Sequence, residues 1–306
     1  MPLFGLLHFL SFKKCRLWLI IVVFLYIPLL AHSQPPDHFA PSALSGIQKG
    51  EFLLAQSRND EALRLYESLI DERKGGGYAF RGLVRAYTNM DKLKEAEVWI
   101  ENFLVDNLDS SPALYASGYA HYLQKDMKKA EQFFNRALEF NADNALALNN
   151  LGAIMSLQKL HTQAAEKVRE AIRVNPEEPM FFHNLEAIYK KMGNPGLIIA
   201  DYNFYLEQGS AGLARRYGMA VGRNMRQAGF RLYDEGRLGD AILKFLEIEI
   251  VYKTINHQLG LVPVYFSLGL LYEEKGDTLN AKKYFNQVLA FNSLHIQAKE
   301  SLKRLQ

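Results

Sequence analysis

The sequence contains a single cysteine among 306 residues, Cys15. It lies ahead of the apolar run 17–30, where it cannot serve as a lipid-bearing cysteine, which would follow that run. Beyond residue 33 there is no cysteine, so disulfides, thiolate metal sites and cysteine nucleophiles are excluded from that part of the chain. An excess of one charge is missing as well. Residues 1–33 hold Lys13, Lys14 and Arg16 of the 36 Lys+Arg and none of the 33 Asp+Glu, which leaves the remainder balanced. That balance removes the basic bias that nucleic-acid binding needs. The apolar run of 14 residues is shorter than the roughly 18–20 that span a bilayer. Sequences of the form GxxxxGK[ST], HExxH and GxSxG are absent, and His121, His161 and His257 lie apart without metal-ligand spacing. Gly75, Gly76 and Gly77 have no strand-to-helix context and read as a loop. No catalytic residue, metal or cofactor is therefore predicted.

What is present begins at the amino terminus. A basic flank, a short apolar stretch and then Ala31 and Ser33 form the pattern of a signal peptide over residues 1–33, with cleavage after Ser33. The alternative is that the same residues stay as a membrane anchor, which would be the only route to a membrane. In both cases the basic flank stays inside and the chain beyond the apolar run is exported, to a periplasmic or secreted location. A proline-containing linker occupies 34–41, and 42–306 form one folded region.

That region repeats itself. Aligning amphipathic stretches on a small residue places Ala62, Ala96, Ala130 and Ala164 at intervals of 34, with Ile198 next, then Ala241 and Ala281 at 43 and 40. Each is preceded by another helical stretch, as in Leu148, Leu151, Gly152 and Met155, which share one face. Polar turns containing glycine or an acidic residue, such as 89–92, 124–127 and 274–277, separate the two. Carboxylates are placed on solvated outer faces.

A 34-residue helix-turn-helix unit, with Leu-Gly in the first helix and alanine followed four residues later by an aromatic in the second, resembles the tetratricopeptide repeat. The resemblance covers residues 43–292 and points to an exported protein of bacterial type. It implies an all-α, right-handed superhelical solenoid of about seven repeats, with 295–306 as a capping helix. The first copy has Lys49 before Gly50, and the fifth has Glu186 and Ile198 for the small residues, so packing is expected to loosen in both. Extra residues around 209–222 predict a longer helix or a bend where the superhelix changes direction.

The resemblance also implies a concave groove lined by the first helices. Asparagine is a poor helix-interior residue, so adjacent Asn149 and Asn150 are read as groove residues, with Asn184 and Gln227 in register with Asn150. Together they resemble an asparagine ladder that holds a peptide backbone. The same face carries Arg81, Arg85, Tyr115, Tyr119, Tyr122, His183, Lys190, Arg226, Phe230 and Tyr233. Arginine and aromatic residues supply contact area and charge-assisted hydrogen bonds. For single residues the competing readings stay open: the asparagines bridge neighbouring helices, and the tyrosines pack as structure. The expected partner is a protein or peptide segment, bound by a non-enzymatic scaffold. A holdase chaperone and a membrane-anchored adaptor are the alternatives.

Overall fold

The computed structural model describes residues 45–306, so the signal-peptide and linker readings lie outside the described residues. Among the described residues there are fifteen helices and no strand. They fall into two compact units that divide between Ala142 and Asp143. The first holds α1 (Gly46–Ala55), α2 (Asn59–Asp71), α3 (Gly76–Asn89), α4 (Leu93–Asp106), α5 (Ser111–Leu123) and α6 (Met127–Phe140). The second holds α7 (Ala145–Leu157), α8 (His161–Val174), α9 (Pro179–Lys191), α10 (Leu197–Glu207) and α11 (Ala211–Asp234), then α12 (Leu238–Thr254), α13 (Gln258–Lys275), α14 (Thr278–Phe291) and α15 (Ile296–Arg304).

One backbone device makes each pair. A residue one or two positions past the end of each first helix takes a left-handed conformation, at Ser57, Asp91, Lys125, Lys159 and Gly193 with a 34-residue step, then at Gly236 and Gly276. The next N–H reaches back five residues, as in Arg58 to Leu53 O at 2.9 Å and Asp277 to Tyr272 O at 2.9 Å. This closure satisfies carbonyls that a helix end leaves open, and it turns the chain at once into the next helix. In the turn 124–127 it is Lys125 that holds the left-handed position, while Asp126 caps α6 by accepting from the Lys129 N–H at 3.2 Å.

The aligned residues Ala62, Ala96, Ala130, Ala164, Ile198, Ala241 and Ala281 are all buried. So are the side chains four residues on, among them Tyr66, Phe134, Phe245 and Phe285. Burying each such ring contributes roughly 1.5–3 kcal/mol. Glycine in the first helix lets the ring approach: a Cβ on Gly118 would lie 2.6 Å from Phe134 Cδ1, and one on Gly269 would lie 2.6 Å from Phe285 Cε1.

The first copy is closely packed, contrary to expectation, because Gly50 and Gly82 from α1 and α3 both abut the Tyr66 ring of α2. The glycine, and not the leucine that Lys49 replaces, sets the approach. The fifth pair is loosely opposed, as expected from Glu186. The second is loose too, because Val84 stands where the glycine would be.

The extra residues before the sixth turn lengthen a helix and do not bend it. The helix α11 runs unbroken for 24 residues. Gly218, Gly222 and Gly229 face α12, where a Cβ would meet Ile255, Tyr252 and Phe245 respectively. These glycines form a surface on which the next helix lies.

Candidate functional site

Within the second unit the asparagines come together. Asn184 Nδ2 on α9 donates to Asn149 Oδ1 on α7 at 2.8 Å, and Asn149 Nδ2 donates to Asn150 Oδ1 at 3.1 Å. Asn149 is 1% exposed and Asn150 is 7% exposed. The row is directional: it leaves a buried Asn150 Nδ2 with no acceptor among the described residues. This corrects the picture of open groove amides. Asn149 bridges two helices, because an amide at a helix–helix contact finds its partners in the neighbouring amide.

The rest of that set is spread along its helices. His183, Lys190 and Gln227 are exposed, and Arg226, Phe230 and Tyr233 are half-buried. Phe230 packs edge-on to Phe245 with centroids 5.2 Å apart, and the Tyr233 hydroxyl donates to Glu274 Oε2 at 2.7 Å.

In the first unit, Arg81, Tyr119 and Tyr122 are half-buried. Arg85 pairs with Glu51 at 2.6 Å, from the equivalent position one repeat earlier. Tyr115 is 1% exposed, between Tyr119 and Phe134 at centroid distances of 6.0 and 5.8 Å. It belongs to the core of the α5–α6 pair and not to an open groove, since the glycine-permitted approach of Phe134 brings it into ring contact. Gly82 interrupts the ladder for a similar reason. A Cβ there would lie 2.2 Å from Tyr66 Cζ, so the space for an asparagine is already filled.

Placing carboxylates on outer faces holds for many and fails for three. Asp201 on α10 is buried, accepts a short hydrogen bond from the Tyr189 hydroxyl, and has Arg169 Nε 3.1 Å from its Oδ1. Arg169 also donates to the Tyr189 oxygen at 2.9 Å. Burial raises the Asp201 carboxyl above its ordinary range, against the opposing pull of Tyr189 and Arg169. Glu186 is raised by burial in the same way, while Arg223 at 2.6 Å opposes the shift. Glu249 on α12 is buried between Lys253 at 2.6 Å and the Tyr284 hydroxyl at 3.0 Å.

These cation–carboxylate contacts, two of them completed by a phenol, tie helices to one another, and the sequence signals them only as charges inside an apolar register. Partners already occupy Asp201 and Glu249 on both oxygens, which suits a fixed structural role. No group of three or more His, Cys, Asp or Glu that could hold a metal ion occurs among the described residues. No described helix is long and apolar enough to cross a membrane.

Comparison with known proteins agrees with this geometry. Residues 95–145 and 262–293 each match the tetratricopeptide repeat family. No curated protein matches the chain. Among solved structures, a thermophilic TPR protein of Thermus thermophilus is similar at 21% identity, over 60% of this chain and 99% of that one, with a TM-score of 0.41. The C-terminal part of a TPR repeat-containing protein from Cytophaga hutchinsonii is similar at 16% identity, over 84% and 99%, with a TM-score of 0.39. YrrB, described as a TPR protein with an unusual peptide-binding site, is similar at 17% identity, over 67% and 97%, with a TM-score of 0.33. The two matched stretches, and helix pairs closed by the same turn from Ser57 to Gly276, show that this chain carries tetratricopeptide repeats, which indicate a protein–protein interaction scaffold.

Proposed function

We propose that this chain is a non-enzymatic scaffold, exported through residues 1–33, that captures a segment of a partner protein on the first-helix faces and so supports assembly of a complex. The observation that carries the reading is the unfinished amide row. Asn150 Nδ2 is a buried donor without an acceptor among the described residues, a state that costs about 1–3 kcal/mol. A carbonyl of an extended partner, reaching Asn150 as the side chain opens, relieves that cost and reads backbone without demanding one sequence. Beside the row, the exposed Lys190 and Gln227 are available for side-chain contacts.

The experiment is capture of partners from an envelope extract by the wild type, by an Asn150→Ala, Asn184→Ala variant that keeps its helicity at the working temperature, and by Lys190→Glu, which leaves the amide row intact. One partner kept by the wild type and lost by both variants supports groove capture. Identical partners on all three remove it. Fractionation of the full chain against one lacking residues 1–33 tests export, and retention of both inside the cell sinks that part.

A further inference from the structure

A recess lies in the first unit, bounded by α4, α5 and α6. Its volume is about 240 Å³. Leu104, Val105, Leu108 and Phe133 form its apolar lining, and Val105 and Leu108 stand 70% and 68% exposed. Glu97 and Glu101, one helical turn apart on α4, stand beside them. Ser117 and His121, one turn apart on α5, complete the lining.

Three features show what this recess lacks. Glu101 has no cationic partner among the described residues, and Glu97 receives only Gln124 Nε2 at 2.6 Å, with His121 Nδ1 3.7 Å away. Arg136 lies over the Phe133 ring at 5.8 Å and pairs with neither carboxylate. The Ser117 residue is 8% exposed, faces the recess, and its hydroxyl makes no hydrogen bond among the described residues. A buried imidazole nitrogen left unpaired, as His121 Nδ1 is beside this apolar wall, is uncommon, since it forfeits a hydrogen bond to water.

We infer that this recess receives an arginine side chain of a partner protein. Its methylene stem lies on Leu104, Val105, Leu108 and Phe133, and its guanidinium lies between Glu97, Glu101 and Ser117. Charge complementarity selects a cation, because both carboxylates lack one. The apolar wall beneath them selects a long amphipathic side chain over a bare ion. The volume favours a side chain over a metabolite, since small-molecule pockets begin near roughly 300 Å³. Among basic side chains the planar fork of arginine can engage two carboxylates and a hydroxyl at once. The site rests on the scaffold reading but not on the groove, and it gives this protein a second contact point with a defined preference.

The test is a titration of the full chain, carrying labelled leucine and valine methyls, with a blocked Leu-Arg-Leu peptide. A matched peptide with citrulline for arginine serves as control, and Glu97→Gln, Glu101→Gln is the variant. The inference expects saturating shifts at Leu104, Val105 and Leu108, weakened about tenfold by citrulline or by the variant, with Lys190→Glu unchanged. Unmoved methyls, or equal binding of the two peptides, overturns it. Shifts confined to the first-helix faces and lost in Lys190→Glu overturn it while supporting groove capture. Self-association of the chain that the Gln variant abolishes assigns the recess to a second copy and overturns it too.

Discussion

Asn184 and Asn149, on neighbouring first helices, are joined by a 2.8 Å hydrogen bond that uses the one free lone-pair group of a side chain otherwise sealed from water. Asn149 is thus the middle of a three-amide row, and its removal strands an amide on each side. Asn149→Ala is expected to lower stability by about 1–3 kcal/mol in urea unfolding. Asn184→Ala, at the half-buried end, is expected to cost less. Equal and negligible losses for both would show that the row carries no structural weight.

Lys125 and Lys159 hold left-handed turns that glycine holds at Gly193, Gly236 and Gly276. The conformation costs a non-glycine residue about 1–2 kcal/mol, while glycine adds about 0.5–1 kcal/mol of unfolded-state entropy to be lost. The steric term wins. Lys125→Gly and Lys159→Gly are each expected to raise stability by about 0.5–1 kcal/mol, read as a higher urea midpoint at unchanged slope. A lower midpoint would show that the lysine side chains contribute something the turn geometry does not reveal.

Gly152 faces a wall that cannot yield. A Cβ would lie 2.6 Å from Val168 Cγ2 and 2.9 Å from the backbone oxygen of Ala164. Gly152→Ala is expected to force α7 from α8 and cost about 1–3 kcal/mol despite the gain in helix propensity. Gly239→Ala, where a Cβ meets nothing within 4 Å, is the control for propensity alone. A neutral Gly152→Ala would mean that the pair separates without loss.

His257 supplies a pH dependence. Burial, then the charges of Arg215 and Arg216, hold its imidazole below the ordinary range, and its ring lies 4.9 Å from that of Tyr252. A group with a lowered folded pKa stabilises above its unfolded pKa, and that contribution is lost as pH falls through the folded value. Between about pH 7 and about pH 5 the wild type is expected to lose more stability than His257→Gln, measured by denaturation at each pH. Parallel losses in the two proteins would remove His257 as the cause.

Period and pattern by themselves determined the helix pairs. Small residues at Ala62, Ala96, Ala130 and Ala164 must be buried wherever a helix repeats in register, and local turn closure needs only neighbouring backbone groups. That His183 and Lys190, seven residues apart on α9, share a face was legible for the same reason, since helical spacing alone sets a face. Which side chains of that face stay open was decided only by tertiary structure. Tyr115 closes on Phe134 because Gly118 lets the ring in, Asn149 is spent on Asn184, and Gly82 leaves room for Tyr66 from the pair before it. Likewise Asp201 and Glu249 look like surface charges in a helical register, and become buried because Tyr189 with Arg169, and Tyr284 with Lys253, meet them from other turns and helices. A repeat fixes where each residue points. What it points at depends on the neighbouring repeat, and its side chains differ from one copy to the next.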